Sequence, residues 1–261
     1  MAAVMAVIER SAIWPWRGNI PPHVPLPDVV PKAFLLPGDP ARVDFAAAVL
    51  DDFRIVGQNR EFRMGYGQYG DKLIGVCSTG IGGASTEIAM VELAALGVEV
   101  AIRTGGCGAL AEDLNLGDFL VIDEAIPNSG AAKFYTGPAE RACADKGVVA
   151  ALEAARLARQ LPGRVGKCIT ADGYYRAQGR PSSPGGSGEP TLLDRFAARG
   201  ADTVEMEAEV ILAVGRALGV RAGAVLAVHA HRRSDGWLED YETTQRDVLR
   251  IGAEAAAAAC S

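Results

Sequence analysis

Three short segments, distant from one another in the chain, carry residues that could hold an anion beside a neutral polyol. Two of them combine arginine with glycine, at residues 38–42 and 103–108, and the third is the acidic run at residues 205–207. Guanidinium groups next to glycine-exposed backbone amides form anion sites, and carboxylate oxygens accept hydrogen bonds from hydroxyl groups. The combination predicts a phosphate bound next to a sugar.

The first segment predicts a helix N-terminus beside a glycine turn. Pro40 stands where a helix through Leu50 would begin, and proline is favoured at the first helical position. Arg42 would then lie near the start of this helix and could point back toward the Gly38 amide and the positive end of the helix dipole. A surface arginine on an amphipathic helix is the alternative.

The second segment follows an apolar strand predicted at residues 98–103. Arg103 ends this strand, and Gly105, Gly106 and Gly108 predict a turn that brings bare backbone close to a ligand at the carboxyl edge of the sheet. A buried arginine needs an anionic partner because an unpaired buried charge is costly. That partner would be either a ligand or a carboxylate of the protein itself.

The third segment is predicted to open a helix that Gly219 ends. Glu205 and Glu207 offer acceptors for vicinal hydroxyls, and Met206 between them offers an apolar surface for a sugar ring. Acidic residues are also common in the first turn of a helix because of the helix dipole. The run taken alone therefore permits both interpretations.

A fourth segment, residues 172–180, follows an apolar strand and places three polar side chains at the expected rim of the pocket. They are Tyr174, Gln178 and Arg180. An amide and a guanidinium together can match the donor and acceptor edge of a pyrimidine ring. Residues 180–190, which hold three prolines, three glycines and three serines, are predicted to form either a lid or an ordinary surface loop.

Apolar runs and glycine positions around these segments predict an α/β fold. Strands are predicted at residues 33–36, 73–78, 98–103, 119–123, 165–171 and 222–228, and helices at residues 40–50, 85–96, 148–161 and 208–218. A chain of 261 residues can bury one large core. We therefore predict a single-domain, three-layer α/β/α fold with a central mixed β-sheet over residues 32–261. Residues 1–31, which contain six prolines, are predicted to form an irregular N-terminal arm.

Composition excludes several classes of function. The net charge of −6 disfavours binding to nucleic acid or to an anionic membrane, so a phosphate site must be a local arginine cluster. No apolar stretch reaches the roughly 18 residues of a membrane span, and no basic leader precedes an apolar core, so we expect a cytoplasmic location. The five cysteines lack the spacing and density of a disulfide framework and are predicted to be free thiols.

In order and spacing, the first three of these segments and three further motifs resemble the nucleoside phosphorylase I family over about residues 32–235. The matching motifs are residues 36–43 (LPGDPARV), 60–62 (REF), 78–86 (STGIGGAST), 103–108 (RTGGCG), 204–208 (VEMEA) and 218–223 (LGVRAG). The resemblance implies reversible phosphorolysis of a nucleoside to a free base and a pentose 1-phosphate, without a required cofactor. It also implies a homo-oligomer, a hexamer or a dimer, in which two subunits share each active site.

The resemblance assigns roles to individual residues. It implies phosphate binding by Gly38, Arg42, Arg103 and Gly106, with Arg60 supplied by a neighbouring subunit. It implies ribose binding by Glu205, Met206 and Glu207, with His23 supplied by the arm of a neighbouring subunit. It implies base binding by Cys107, Gly108, Tyr174, Gln178, Arg180 and His229. Arg103, Glu207 and Arg180 are the implied catalytic residues.

Three further residues match a potassium site that lies between subunits in some family members. They are Glu61, Ile81 and Ser85, whose carboxylate, carbonyl and hydroxyl oxygens suit a hard cation. An ion pair between Glu61 and the adjacent Arg60 is the alternative.

The same resemblance favours a pyrimidine base. Gln178 and Arg180 fall where pyrimidine-specific members carry their base-binding glutamine and arginine. Purine-specific members use an aspartate after the last strand, but the matching position here is Ala230, and Asp235 lies several residues later. A purine phosphorylase is the nearest alternative. A phosphate-independent nucleosidase is another, although nucleosidases commonly lack the equivalent of Arg42, and a noncatalytic nucleoside-binding protein is a third.

The chain departs from the family pattern at two places. Gly106 stands where the family usually has serine or threonine, which removes a hydroxyl donor worth about 1 kcal/mol and predicts weaker phosphate binding. Residues 229–233 (HAHRR) are also unusual, and they predict a base pocket of altered polarity.

Overall fold

Eleven strands of the described residues form one mixed β-sheet. The structure, a computed structural model, describes residues 13–137 and 139–260. The strands are β1 (Ala33–Leu36), β2 (Asp51–Asn59), β3 (Phe62–Tyr69), β4 (Lys72–Cys77), β5 (Val100–Ala109), β6 (Phe119–Ile126), β7 (Ala142–Cys143), β8 (Gly163–Thr170), β9 (Thr203–Glu205), β10 (Arg221–His231) and β11 (Gly236–Trp237).

The sheet closes on itself over part of its width. The strand order is β11-β10-β6-β8-β9-β5-β1-β4-β3-β2, β7 pairs with β6, and β10 also pairs with β5. The extra pairing joins β5, β10, β6, β8 and β9 into a ring, from which β1, β4, β3 and β2 extend. The predicted mixed sheet is confirmed. Its closure was not predicted, because a hydrophobic pattern does not specify which strands pair.

Helices cover both faces of the sheet. They are α1 (Ala41–Asp44), α2 (Gly83–Ala95), α3 (Lys146–Ala158), α4 (Thr191–Ala198), α5 (Ala208–Leu218) and α6 (Tyr241–Ala259). The buried side chains of β1 alternate between two apolar cores: Phe34 and Leu36 pack with α2 and α5, whereas Ala33 and Leu35 pack with α3 and α6. Burial of both faces explains why this strand is a continuous apolar run, and it confirms the three-layer arrangement.

Strand β5 differs from the prediction in a way that shapes the site. The predicted turn after Arg103 is wrong, because the strand continues to Ala109 and stays paired with β10 throughout. The glycines provide room instead of a bend. An ideal Cβ on Gly105 would lie 2.7 Å from Cζ of Arg103, and one on Gly106 would lie 2.1 Å from Nδ1 of His229. The glycine-rich half of β5 therefore lets two functional side chains pack against bare backbone.

The peripheral segments contain little regular secondary structure where the structure describes them. Residues 13–31 of the predicted arm contain only one isolated bridge, between Arg17 and Ile20, and residues 1–12 lie outside the described residues. The 180–190 segment is irregular and largely exposed. All five cysteines are free thiols, and Cys77 and Cys168 are buried. Among the residues described, no helix has both the length and the apolar character needed to cross a membrane.

Candidate active site

A cavity of about 920 Å³ lies where the carboxyl ends of β1, β4, β5 and β10 meet, and it gathers most of the predicted site residues. Open α/β sheets commonly bind ligands at this edge. The predicted residues that line the cavity are Gly38, Arg42, Glu61, Ile81, Ser85, Arg103, Gly106, Cys107, Gly108, Tyr174, Gln178, Arg180, Glu205, Met206, Glu207 and His229. His23 and Arg60 do not line it within the single chain.

Arg103 is held in the cavity wall by two carboxylates. It is only 4% exposed, with Nε 2.9 Å from Oε2 of Glu205 and Nη2 2.5 Å from Oε2 of Glu207. Burial lowers the pKa of Arg103, but Glu207 and Glu205 outweigh that effect and raise it above its ordinary value. Carboxylates of the protein itself, one of the two partners expected for Arg103, therefore do pair with it. However, Nη1 is buried and has no hydrogen-bond partner among the described residues, so one edge of the guanidinium remains for a ligand.

Glu205 supports the wall of the cavity. It is the last residue of β9, so the predicted helix begins three residues later, at Ala208. Its Oε2 accepts hydrogen bonds from the backbone amides of Glu207 and Ala208, each at 2.8 Å, and its Oε1 accepts one from the hydroxyl of Thr170. These bonds satisfy the first amides of α5. With the ion pair to Arg103 added, both oxygens of the buried Glu205 carboxylate have partners inside the protein.

Glu207 bridges three elements around the cavity. It precedes α5, contacts Arg103 of β5 through Oε2, and accepts a 2.6 Å hydrogen bond from the Gly82 amide through Oε1. Burial raises the pKa of Glu207, opposed by the nearby charge of Arg103. Met206 lies half-buried between the two glutamates and lines the cavity. Ribose binding by Glu205, Met206 and Glu207 stays a prediction.

Arg42 forms a second cationic group in the same cavity. Its guanidinium lies 4.9 Å from the ring centroid of Tyr241, and its Nε is buried without a hydrogen-bond partner in the described part of the chain. Burial and the charge of Arg103 lower the pKa of Arg42 to about 10. Two guanidinium groups that repel each other in a partly buried wall would be stabilised by an anion between them.

Gly38 brings the backbone of the β1–α1 loop close to the loop that precedes α2. An ideal Cβ on Gly38 would lie 3.2 Å from the carbonyl oxygen of Gly80. A side chain at this position would therefore crowd the cavity wall. Binding of a ligand by the Gly38 backbone stays a prediction.

The other end of the cavity is built around Gln178. Its Oε1 accepts hydrogen bonds from Nη1 of Arg180 at 2.7 Å and from Nη1 of Arg232 at 3.0 Å, and Arg180 stacks on Tyr174 at 4.1 Å. Burial lowers the pKa of both arginines. Because its oxygen is used twice, the Gln178 amide group can only donate to a ligand. Arg232 was not predicted, although it lies in the unusual 229–233 stretch that could have indicated it.

His229 lies at the arginine end of the cavity. Its ring packs against Gly106, lies 4.5 Å from the ring of Tyr241, and contacts Gln245 of α6. Burial, together with the charges of Arg42 and Arg103, lowers the pKa of His229 to about 3. Its predicted part in base binding stays a prediction.

The two residues predicted to act across a subunit interface lie elsewhere. His23 contacts α2 of its own chain, with Nδ1 2.6 Å from Oε1 of Glu92, while Oε2 of Glu92 accepts from the amides of His23 and Val24. Arg60 is exposed in the β2–β3 turn with a φ of 53°. Action of either residue on a neighbouring site stays a prediction.

The predicted cation ligands converge at the cavity mouth. An ideal Cβ on Gly80 would lie 2.7 Å from Cγ of Glu61 and 3.0 Å from Oγ of Ser85, and Oγ of Ser85 lies 3.4 Å from the carbonyl oxygen of Ile81. Oxygen donors of these three kinds fit a hard cation. The alternative pairing of Glu61 with Arg60 does not occur among the ion pairs of the described residues.

Glu209, in the first turn of α5, is expected to make the stability of the fold depend on pH. Burial raises the pKa of Glu209 from 4.5 to about 7, although the amides of Ser129 and Asn128 oppose this shift. A carboxyl whose pKa is higher in the folded state stabilises the fold when protonated. Its contribution is therefore complete below about pH 4.5 and is lost as the pH rises through about 7. In urea denaturation, we expect Glu209→Gln to flatten the fall in unfolding free energy across this range. An unchanged slope would refute the assignment.

Known proteins resemble the chain in sequence and in fold. A family model described as the phosphorylase superfamily matches residues 32–261. A uridine phosphorylase of Thermococcus kodakarensis is 36% identical over 79% of this chain and 75% of its own length. A guanosine phosphorylase of Halorubrum lacusprofundi is 34% identical over 74% and 76%, and a uridine phosphorylase of Escherichia coli is 32% identical over 85% and 90%.

The fold also matches a solved structure. A crystal structure of a uridine phosphorylase from Vibrio fischeri superposes with a TM-score of 0.77 at 24% identity, over 91% of this chain and 94% of that chain. The family model spans every element that builds the cavity, from β1 to α6. The chain belongs to the phosphorylase superfamily.

Proposed function

We propose that this protein is a uridine phosphorylase, which converts uridine and phosphate reversibly to uracil and ribose 1-phosphate in pyrimidine salvage. The observation that carries the proposal is a single cavity that holds Arg42 and Arg103 beside Glu207, together with Gln178 and Arg180. Paired guanidinium groups suit a phosphate, a carboxylate suits sugar hydroxyls, and an amide with a guanidinium suits a pyrimidine edge. The similarity to uridine phosphorylases of Thermococcus kodakarensis and Escherichia coli supports it.

The reaction breaks the bond between C1′ of the ribose and N1 of uracil and forms a bond between C1′ and a phosphate oxygen. The electron pair of the broken bond leaves with uracil, positive charge develops on the ribose, and phosphate attacks from the opposite face. The protein positions the two reactants and balances these charges. Because the base departs as an anion that donors on the protein stabilise, no aspartic acid is required to protonate it.

Each end of the cavity has one task in this scheme. Arg103 and Arg42 bind phosphate beside the cationic sugar, and Glu207 accepts hydrogen bonds from the ribose hydroxyls. The amide group of Gln178 and the guanidinium of Arg180 donate to the carbonyl groups of uracil, on which the negative charge develops. Arg103, Glu207 and Arg180 are the catalytic residues of the proposal.

A homo-oligomer would complete the site. In the single chain Arg60 and His23 lie outside the cavity wall, so each would act in a neighbouring subunit's site, on phosphate and on the 5′-hydroxyl of the ribose. Glu61, Ile81 and Ser85 would hold potassium at the same interface with oxygen ligands. We also propose a cytoplasmic location, which agrees with the acidic net charge and the free thiols.

Guanosine phosphorolysis is a second candidate, because a guanosine phosphorylase of Halorubrum lacusprofundi is 34% identical to the chain. A purine would need a proton donor at N7, and the position predicted for it carries Ala230. Arg232 and Arg180 also converge on Gln178, which favours the carbonyl-rich edge of uracil. Uridine is therefore the preferred substrate in our proposal.

A substrate panel tests the proposal. We expect uracil and ribose 1-phosphate to form from uridine only when phosphate is present, with inosine and guanosine turned over far more slowly. Deoxyuridine and thymidine in the same panel would define the sugar preference. Equal uracil release without phosphate would identify a hydrolase, and faster cleavage of guanosine would identify the purine enzyme.

A further inference from the structure

The wall of the cavity at Gly106 is completed by a side chain from the neighbouring strand. An ideal Cβ on Gly106 would lie 2.1 Å from Nδ1 and 2.3 Å from Cε1 of His229, far inside van der Waals contact. The imidazole therefore occupies the volume that a side chain at position 106 would fill. Gly106 and His229 both line the cavity. Glycine has no side-chain donor, and a ring nitrogen of His229 lies where a side chain at position 106 would otherwise place one.

The hydrogen bonds of the ring determine which nitrogen carries the proton. Nε2 of His229 lies 2.6 Å from the amide nitrogen of Gln245, which is buried at 1% exposure. In this orientation of the Gln245 amide, its NH₂ group donates to Nε2, and the proton of a neutral ring then lies on Nδ1. Nδ1 has no hydrogen-bond partner among the described residues. The ring is thus held with a free N–H donor next to Gly106.

The surroundings of the ring keep it neutral and fixed. Arg42 and Arg103 are the charged groups whose fields lower the pKa of His229, and burial acts in the same direction, so the ring stays uncharged at neutral pH. The ring lies 4.5 Å from the ring of Tyr241, which also stacks with Arg42. His229 and the two arginines are therefore neighbours at one end of the cavity.

From this geometry we propose that His229 binds phosphate as a neutral donor through Nδ1–H, and that Gly106 is glycine to admit the ring. The proposal rests on the proposed function, because it names a further residue of the phosphate site. It changes the predicted role of His229 from base binding to anion binding. It also means that the missing hydroxyl at position 106 does not by itself weaken phosphate binding.

Two near-isosteric variants test which nitrogen matters. Asparagine places its amide near Nδ1 of histidine and can still donate to phosphate, whereas glutamine places its amide near Nε2 and leaves the Nδ1 position empty. We expect His229→Gln to raise the phosphate KM and the directly measured phosphate Kd about tenfold or more, since a hydrogen bond to an ion is lost. His229→Asn keeps the donor but loses the acceptor for Gln245, so it should raise both phosphate constants much less than the glutamine variant, and the KM for uridine should change little in both. His231→Ala, which alters a histidine on the same strand outside the cavity, is the control.

The outcomes separate the two proposals. Equal phosphate Kd values for His229→Gln and wild type, or equal losses in the glutamine and asparagine variants, would overturn the inference. A rise confined to the uridine KM would do the same and return His229 to the base. If the wild-type protein binds phosphate through His229 but cleaves uridine equally well in the absence of phosphate, the proposed function fails while the assignment of His229 as a phosphate donor stands.

A double variant tests the exchange of space directly. Gly106→Ser alone should impair phosphate binding, because its Cβ has no room beside the ring. His229→Ala alone should also impair it, because the donor is gone. Combined, the two changes free the volume and supply a hydroxyl, so the double variant should bind phosphate more tightly than either single one. Strictly additive losses would overturn the inference.

Discussion

Replacing Arg103 with alanine is expected to reduce kcat/KM for phosphate by about 10³-fold, because it removes the preorganised donor beside the reacting centre. The same change leaves the buried carboxylates of Glu205 and Glu207 without their cation. We therefore also expect a loss of about 3–5 kcal/mol in unfolding free energy. Initial rates at limiting phosphate and urea denaturation measure the two effects separately.

Arg164→Ala is the matched control for this experiment. Arg164 also bridges two carboxylates, Asp113 at 2.8 Å and Asp202 at 2.9 Å, but it does not line the cavity. The Arg164→Ala substitution should lower the unfolding free energy only modestly, because Arg164 is more exposed than Arg103. It should leave the dependence of the rate on phosphate concentration unchanged. An Arg103→Ala protein that folds and retains wild-type turnover at limiting phosphate would remove Arg103 from the site.

Replacing Glu207 with glutamine is expected to lower kcat/KM for uridine by about 10²-fold, because a neutral amide stabilises neither the hydroxyls nor the cationic ribose as well as a carboxylate. The phosphate KM should not rise, since the change removes a negative charge beside Arg103 and frees that guanidinium for phosphate. Steady-state kinetics with each substrate varied in turn would show this division between the two ends of the cavity.

Deoxyuridine provides the control for Glu207. Deoxyuridine lacks one of the ribose hydroxyls that Glu207 would bind. The decrease in kcat/KM caused by Glu207→Gln should therefore be smaller for deoxyuridine than for uridine. An equal penalty for both nucleosides, or a raised phosphate KM, would show that Glu207 acts mainly through Arg103 and not on the sugar.

The sequence pattern correctly predicted those site-bearing strands and helices whose apolar periodicity is strong. The strand at β1 was predicted with its observed bounds, and the helix ending at Gly219 matches α5, because both have clear apolar runs and glycine ends. β3 was missed since Gly65 and Gly67 disfavour a strand. Both glycines are needed there because residues of the adjacent strand β2 pack closely against them: an ideal Cβ on Gly65 would lie 2.5 Å from Cζ of Phe53, and one on Gly67 would lie 2.7 Å from the carbonyl oxygen of Asp51.

The remaining differences depend on which strands pair, which a single sequence does not specify. Arg103 was correctly placed in a strand, but its predicted position at the end of that strand is wrong, because the continuation of β5 past it depends on its pairing with β10. The same pairing of β5 with β10 brings the His229 ring against Gly106, so that the ring fills the space left by the missing side chain. Arg232 was missed for a similar reason, as its hydrogen bond to Gln178 spans 54 residues.

The decisive measurement is a crystal structure with phosphate and a non-cleavable uridine analogue. We expect phosphate within hydrogen-bond distance of Nη1 of Arg103 and of the Arg42 guanidinium. We expect the ribose hydroxyls on Glu207 and the pyrimidine edge on the Gln178 amide. Phosphate bound away from both arginines, or a nucleoside seated outside this cavity, would contradict it.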